Sequence, residues 1–124
     1  MRILLDTNAF IWWRDGSPRL SPHAREQIGD TENDIAVSIT SLWEITVKRA
    51  LGKLRFLQDF EEVLAEEGFD LLPLAYRHLR ALADLPLHHR DPFDRLLIAQ
   101  AVVERIPIAT ADRRFAVYGV ELLW

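Results

Sequence analysis

The sequence predicts an α/β fold: a three-layer α/β/α sandwich on a mostly parallel sheet of four or five strands. Three observations lead there. Short apolar runs that end in turn residues recur along the chain, and segments with helical spacing separate them, the signature of strand–helix–strand units. At 124 residues the chain, residues 1–124, has the length of a single domain and can bury a core unaided. Cysteine is absent, so neither disulfides nor thiolate metal sites hold the fold.

Taken in order, Arg2 to Leu5 reads as the first strand, stopped by the turn chemistry of Asp6-Thr7-Asn8. Ala9 to Trp13 opens a helix that Asp15-Gly16-Ser17-Pro18 breaks. Ser21-Pro22 starts the next helix, serine as cap and proline at the first helical position, and Gly29-Asp30 closes it. Asp34 to Ser38 is the second strand. Leu42, Ile45, Thr46, Ala50 and Leu51 then recur at helical spacing as far as Gly52. An acidic helix from about Gln58 to Glu67 stops at Gly68, and Phe69 to Leu72 makes a third strand. Ala75 to Ala83 is amphipathic, with Leu79, Leu82 and Ala83 on one side and Arg77, His78 and Arg80 off it. Asp91 caps a helix from Pro92 to about Arg105 whose body is almost wholly apolar. Pro107 to Thr110 is a fourth strand, Asp112 begins a helical turn, and Val120 to Leu123 forms the last strand.

Charge is unevenly spread over a formal net of −4, which by itself argues against a polyanionic partner. Lys48, Arg49, Lys53 and Arg55 form one basic cluster, and Arg77, Arg80, His88, His89 and Arg90 a second. Either can be a solvated surface. The N-terminus meets an acid after three apolar residues and no run nears the ~20 residues needed to cross a bilayer, so no signal peptide and no membrane association are expected. A cytoplasmic protein is the expectation.

A parallel sheet carries its ligands at the carboxyl ends of its strands. Asp6 ends the first strand there. Glu44 lies in the first turn of the helix leaving the second, Asp94 starts the helix that runs back into the fourth, and Asp112 follows that fourth strand. Each acid alone has a plain reading. Asp6-Thr7-Asn8 suits a turn or a cap, Ser41 to Glu44 fits a capping box, Asp94 suits a helix dipole, and Asp112 can begin a helix. Four carboxylates on one rim repel one another, however, and stability does not select them without a cation. Oxygen donors without cysteine favour a hard divalent ion, Mg²⁺ or Mn²⁺.

Leu4-Leu5-Asp6-Thr7-Asn8, Ser41-Leu42-Trp43-Glu44-Ile45, Asp91-Pro92-Phe93-Asp94-Arg95-Leu96-Leu97-Ile98-Ala99-Gln100-Ala101 and Thr110-Ala111-Asp112 resemble the PIN-domain ribonucleases. The nearest look-alikes are the VapC-type toxins of toxin–antitoxin pairs. The resemblance implies that Asp6, Glu44, Asp94 and Asp112 are catalytic and hold one or two Mg²⁺ or Mn²⁺ ions for hydrolysis of RNA phosphodiester bonds. Asp91, close to Asp94, is assigned to the cap. Thr7, Asn8 and Thr110 are the expected donors that keep the carboxylates in register. Lys48, Arg49, Lys53, Arg55 and Arg95 are the candidates for gripping the RNA backbone. No histidine stands beside the quartet in the sequence, so water activated by the ions is the expected nucleophile.

The implied partners are an RNA substrate, a cognate antitoxin and a second copy of the chain. Of the adjacent Trp12 and Trp13, one is expected in the core and the other against a partner. Four alternatives stand beside this reading. A free-standing PIN nuclease in RNA processing needs no antitoxin, and a non-catalytic PIN-like module would bind RNA or protein only. A phosphatase would carry Asp-x-Asp, where Asn8 takes the third position, and a phosphoacceptor domain would place an acid after strand three, where this chain has Pro73-Leu74.

Overall fold

Burial along the first strand follows the two-residue period of a sheet with both faces covered. Ile3 and Leu5 enter one hydrophobic cluster and Leu4 enters another. The same division separates Ile35 and Val37 from Ala36, and Ala109 from Ile108. The structure is a computed structural model and describes residues 1–124. Its elements are β1 (Arg2–Leu5), α1 (Thr7–Asp15), α2 (Pro22–Gly29), β2 (Asp34–Ser38), α3 (Ile39–Ala50), α4 (Phe60–Glu67), β3 (Asp70–Leu72), α5 (Tyr76–Asp84), α6 (Pro92–Glu104), β4 (Ile108–Ala109), a 3-10 helix (Arg113–Tyr118) and β5 (Leu122–Leu123).

The sheet has five strands in the order β3-β2-β1-β4-β5, and every neighbouring pair is parallel. The order climbs one way from β1 through β2 to β3, then jumps to the other side of β1 for β4. The switch point therefore falls between β1 and β4. Phe10, Ala24, Ile45 and Val63, from α1, α2, α3 and α4, pack on one face. Leu97, Ile98 and Ala101 of α6 cover the other, with Phe115 of the 3-10 helix. The result is the expected α/β fold, helices on both faces of a sheet that is wholly rather than mostly parallel.

Local grammar set most helix ends as expected. Ser21 Oγ accepts from Ala24 N at 3.0 Å ahead of Pro22, and Asp91 Oδ1 accepts from Phe93 N and Asp94 N at 2.9 and 3.0 Å ahead of Pro92. Gly68 closes α4 with a φ of 70°, a left-handed turn that glycine adopts without penalty.

Three expectations need correction. The cap of α3 is Ser38, whose Oγ accepts from Thr40 N at 2.9 Å, so Ser41 lies inside the helix. Glu44 falls in the second turn of α3 and closes no capping box. On α5, His78 is fully buried, whereas Leu79 is exposed. His78 Nδ1 accepts from Ala75 N at 3.0 Å and Nε2 lies 3.2 Å from Glu104 Oε2, so the imidazole ties α5 to α6. Trp12 and Trp13 are both packed within the chain. Trp12 meets Trp124 at a centroid distance of 5.9 Å, while Trp13 stacks near Phe69 at 6.2 Å and donates its indole N–H to Glu67 at 2.7 Å.

Candidate active site

The carboxyl edge around β1 assembles from register alone. Leu5 pairs with Val37 on one side and with Ala109 on the other. One residue further on, Asp6 therefore lies between the ends of β2 and β4, and its N–H donates to Ala109 O at 3.0 Å. Asp6 is also the cap of α1, with Oδ1 accepting from Ala9 N at 2.7 Å. Thr7 and Glu44 are buried beside it. Thr7 Oγ1 donates to Glu44 Oε1 at 2.6 Å and lies 3.0 Å from Ser41 Oγ. The other Glu44 oxygen accepts from Lys48 Nζ at 2.6 Å, one helical turn on.

Asp94 enters the same rim from the first turn of α6. The height of that turn is set by a buried amide. Gln100 Oε1 accepts from Ser38 Oγ and, at 3.3 Å, from Thr40 Oγ1, and its Nε2 donates to Pro73 O at 3.3 Å. Gln100 is fully buried, so these bonds lock α6 to the β2–α3 junction that carries Glu44. Asp112 follows β4. Its N–H donates to Thr110 Oγ1 at 3.0 Å, and its carboxylate caps the 3-10 helix and takes a two-pronged ion pair from Arg114, the shortest contact being 2.6 Å.

The charges feel one another. Burial, against relief from the Thr110 hydroxyl and the Ala9 amide, pushes the Asp6 carboxyl up to about 6, with Glu44 and Asp112 adding to the rise. Burial again, then repulsion from Asp91, Glu44, Asp6 and Asp112, pushes Asp94 up to about 7. Asp112 moves the other way, held below the ordinary carboxylate range by Arg114. The hydrogen bond to Glu44 raises Lys48. The structure thus brings Asp6, Glu44, Asp94 and Asp112 within electrostatic reach of one another, with Lys48 and Arg114 as internal counter-ions. No three acidic or histidine side chains are drawn together into a ready metal-clasping group.

The supporting residues divide. Thr7 and Thr110 are buried among the carboxylates. Asn8 is exposed and makes no hydrogen bond to a rim carboxylate. Of the basic residues that the sequence suggested for gripping RNA, only Lys48 touches a rim acid. Arg49 donates to the Phe56 carbonyl and lies 5.7 Å over the Phe60 ring, clamping the loop after α3. Lys53 and Arg55 follow the far end of α3, where Arg55 shares a cleft with Asp15 at the far end of α1. Arg95 turns from the rim to the carbonyls of Pro86 and Leu85, at 2.8 and 3.4 Å, and pairs with no acid. His88 and His89 pack on Tyr118, with centroids 5.0 and 5.5 Å away. Sequence reasoning missed Arg114 as the partner of Asp112 and Gln100 as the lock. The Glu44–Lys48 spacing of four was a visible signal for the first kind of pairing, but nothing local announces the second.

A parallel sheet whose switch point is lined by oxygen donors makes this an α/β protein with an acidic carboxyl edge. Residues 3–121 match the family model of the PIN domain, and the chain belongs to that family. Among solved structures, VapBC2 from Rickettsia felis, bound to a DNA fragment from its promoter, superposes with a TM-score of 0.68 at 16% identity, covering 98% of this chain and 97% of that one. VapBC from Salmonella typhimurium, also DNA-bound, gives 0.68 at 17% identity over 98% and 96%. FitAcB from Neisseria gonorrhoeae gives 0.66 at 20% over 97% and 95%. At such identities the likeness is one of fold. Among curated proteins none matches this chain. No helix is long and apolar enough to cross a membrane.

Proposed function

We propose that the chain is a divalent-metal-dependent endoribonuclease, the toxin of a toxin–antitoxin pair. PIN domains are nucleases, and membership of that family supports nuclease activity. The observation that carries metal-dependent cleavage is the gathering of Asp6, Glu44, Asp94 and Asp112 at the β1/β4 switch point, where burial first and neighbouring carboxylates second raise Asp6 and Asp94 in a rim whose donors are all oxygen. Such a set fits a hard cation, Mg²⁺ or Mn²⁺, in kind. Glu44 and Asp112 must exchange their ammonium and guanidinium partners for the ion, because Lys48 and Arg114 now hold them. Once bound, one or two ions would activate water and stabilise charge on the scissile phosphate. Asp6 and Asp94 are the proposed direct ligands. Glu44 is oriented for that work by the Thr7 hydroxyl, and Asp112 is anchored through its N–H on Thr110. Lys48 and Arg114, once released, stand beside the rim to meet phosphate oxygens.

Purified protein is expected to cut RNA with Mg²⁺ or Mn²⁺ and to stop with EDTA. The Asp6→Asn/Asp94→Asn double variant should be inert. Equal cleavage by that variant would remove the site, and binding without cleavage would leave a non-catalytic module.

The toxin role draws support from the toxin–antitoxin complexes among the structural neighbours, which are VapBC and FitAcB assemblies. Its test is growth arrest on expression that co-expression of a small DNA-binding protein encoded alongside relieves. Harmless expression would leave a free-standing nuclease. A second copy of the chain has an apolar surface to meet at Leu74, Tyr76 and Leu79, all exposed around one shallow cleft. The molar mass in solution measures that.

A further inference from the structure

Trp43 stands apart from the other tryptophans. It is 50% exposed and belongs to neither hydrophobic cluster, while α3 sends Leu42 and Ile45 to the core on its other side. A lone exposed aromatic means little. This one is braced: its ring meets that of Phe93 at a centroid distance of 4.6 Å and an interplanar angle of 67°, an edge-to-face pair. Its position is specific as well. Trp43 immediately precedes Glu44 and Phe93 immediately precedes Asp94, so the pair bridges α3 and α6 where both deliver their carboxylates. Cations stand on the same rim, Lys48 paired with Glu44 and 43% exposed, Arg114 paired with Asp112 and 68% exposed. A braced π-surface beside acidic donors and their paired cations has the chemistry of a nucleotide subsite, with ring for base and cations for phosphates.

We infer that Trp43, held by Phe93, is the platform on which an unpaired base next to the scissile phosphate stacks. The inference rests on the nuclease reading and adds to it the residue that grips the base beside the cut. Every base offers a π-face, so stacking grips any sequence, but a duplex hides those faces inside its own stack. A flexible strand must also be held at a fixed distance from the carboxylates. An indole with only two side-chain torsions, its ring packed on Phe93, does this at low entropic cost.

The test is steady-state cleavage of short RNA oligonucleotides in Mg²⁺ or Mn²⁺ by wild type, Trp43→Ala and Trp43→Phe. On unpaired RNA, Trp43→Ala should raise KM ~10-fold with kcat little changed, and Trp43→Phe should retain most of the grip. Oligonucleotides with one abasic nucleotide, moved along the strand, then locate the contact. At one position flanking the cut, wild type should rise to the KM of Trp43→Ala and the difference between the two should vanish. Equal KM for wild type and Trp43→Ala on intact RNA overturns the platform. So does a difference that survives base removal at every position, or a loss confined to kcat on all substrates, which would make the ring a brace between helices. If Trp43→Ala does not fold, Trp43→Phe and the abasic scan of wild type still decide. A wild type that cuts no RNA with either ion sinks the nuclease reading itself, and the platform with it.

Discussion

Burial and crowding hold the Asp94 carboxyl at about 7 and the Asp6 carboxyl at about 6, against an ordinary value of 3.8. Both values are raised in the folded chain. The stability these groups contribute is therefore full below about 4, the unfolded value, and is lost as pH rises through about 6 and 7. Asparagine at position 94 mimics the protonated acid at every pH. In EDTA, Asp94→Asn and wild type should thus melt together near pH 4, and the variant should melt higher as pH passes 7, by a few degrees. The same variant should lose cleavage by ~10²-fold or more, stability and activity parting at one atom. Divalent ions should raise the wild-type melting temperature more at pH 7.5 than at pH 5, where protons compete for the same oxygens. A variant that melts below wild type at pH 7.5 would remove the repulsion from the account. Asp6 separates two roles. Asparagine keeps an oxygen for the Ala9 amide, whereas Asp6→Ala loses that cap and should cost ~1 kcal/mol beyond Asp6→Asn in urea unfolding.

Among the elements, α6 ends on a point of strain. Arg105 closes it with a φ of 56°, the single non-glycine residue of the chain in the left-handed region, and its side chain is exposed. Arg105→Gly removes the Cβ conflict but loosens the unfolded chain, so the net gain should be ~0.5 kcal/mol in urea unfolding. A loss would mean that the guanidinium does unnoticed work at the helix end. The same helix marks what was legible in advance. Asp91-Pro92 at its start, Ser21-Pro22 at the start of α2 and the apolar runs of β1 and β2 are local signals, and local signals need no partner to be read. The order in which the four acids meet the carboxyl edge followed from the alternation of strands and helices. What depends on a neighbour was hidden. Serines at 38 and 41 both suit a cap, and only the position of β2 selects Ser38. His78 looks like a surface residue until Glu104 of α6 supplies its hydrogen-bond partner. Arg49 and Arg95 look free until loop carbonyls claim them, and carbonyls leave no trace in a sequence.

That claiming of cations matters most at the level of the molecule. The chain carries a net charge of −4, and its arginines are heavily engaged: Arg14 with Glu66 and Glu67, Arg77 with Glu104, Arg49 and Arg95 with backbone. Beside the rim, Lys48 and Arg114 remain, each already on an acid that the ion is proposed to take over. If RNA is gripped there, few phosphates are neutralised and few counterions are released. With ~2–3 phosphates contacted on a single strand, the logarithm of affinity should fall against that of salt with a slope of about −2. Between 50 and 200 mM salt that is a loss of only about 15-fold, where a basic groove with ~8 contacts would lose more than ~10³-fold. Fluorescence anisotropy with labelled unpaired RNA and the Asp94→Asn protein, which leaves the strand intact, measures the slope directly. A slope of about −5 or steeper would place the grip on the distant basic residues, Lys53 and Arg55 among them. A shallow slope ties recognition to the rim itself, where base stacking and the bound ion, rather than bulk charge, must then supply the affinity.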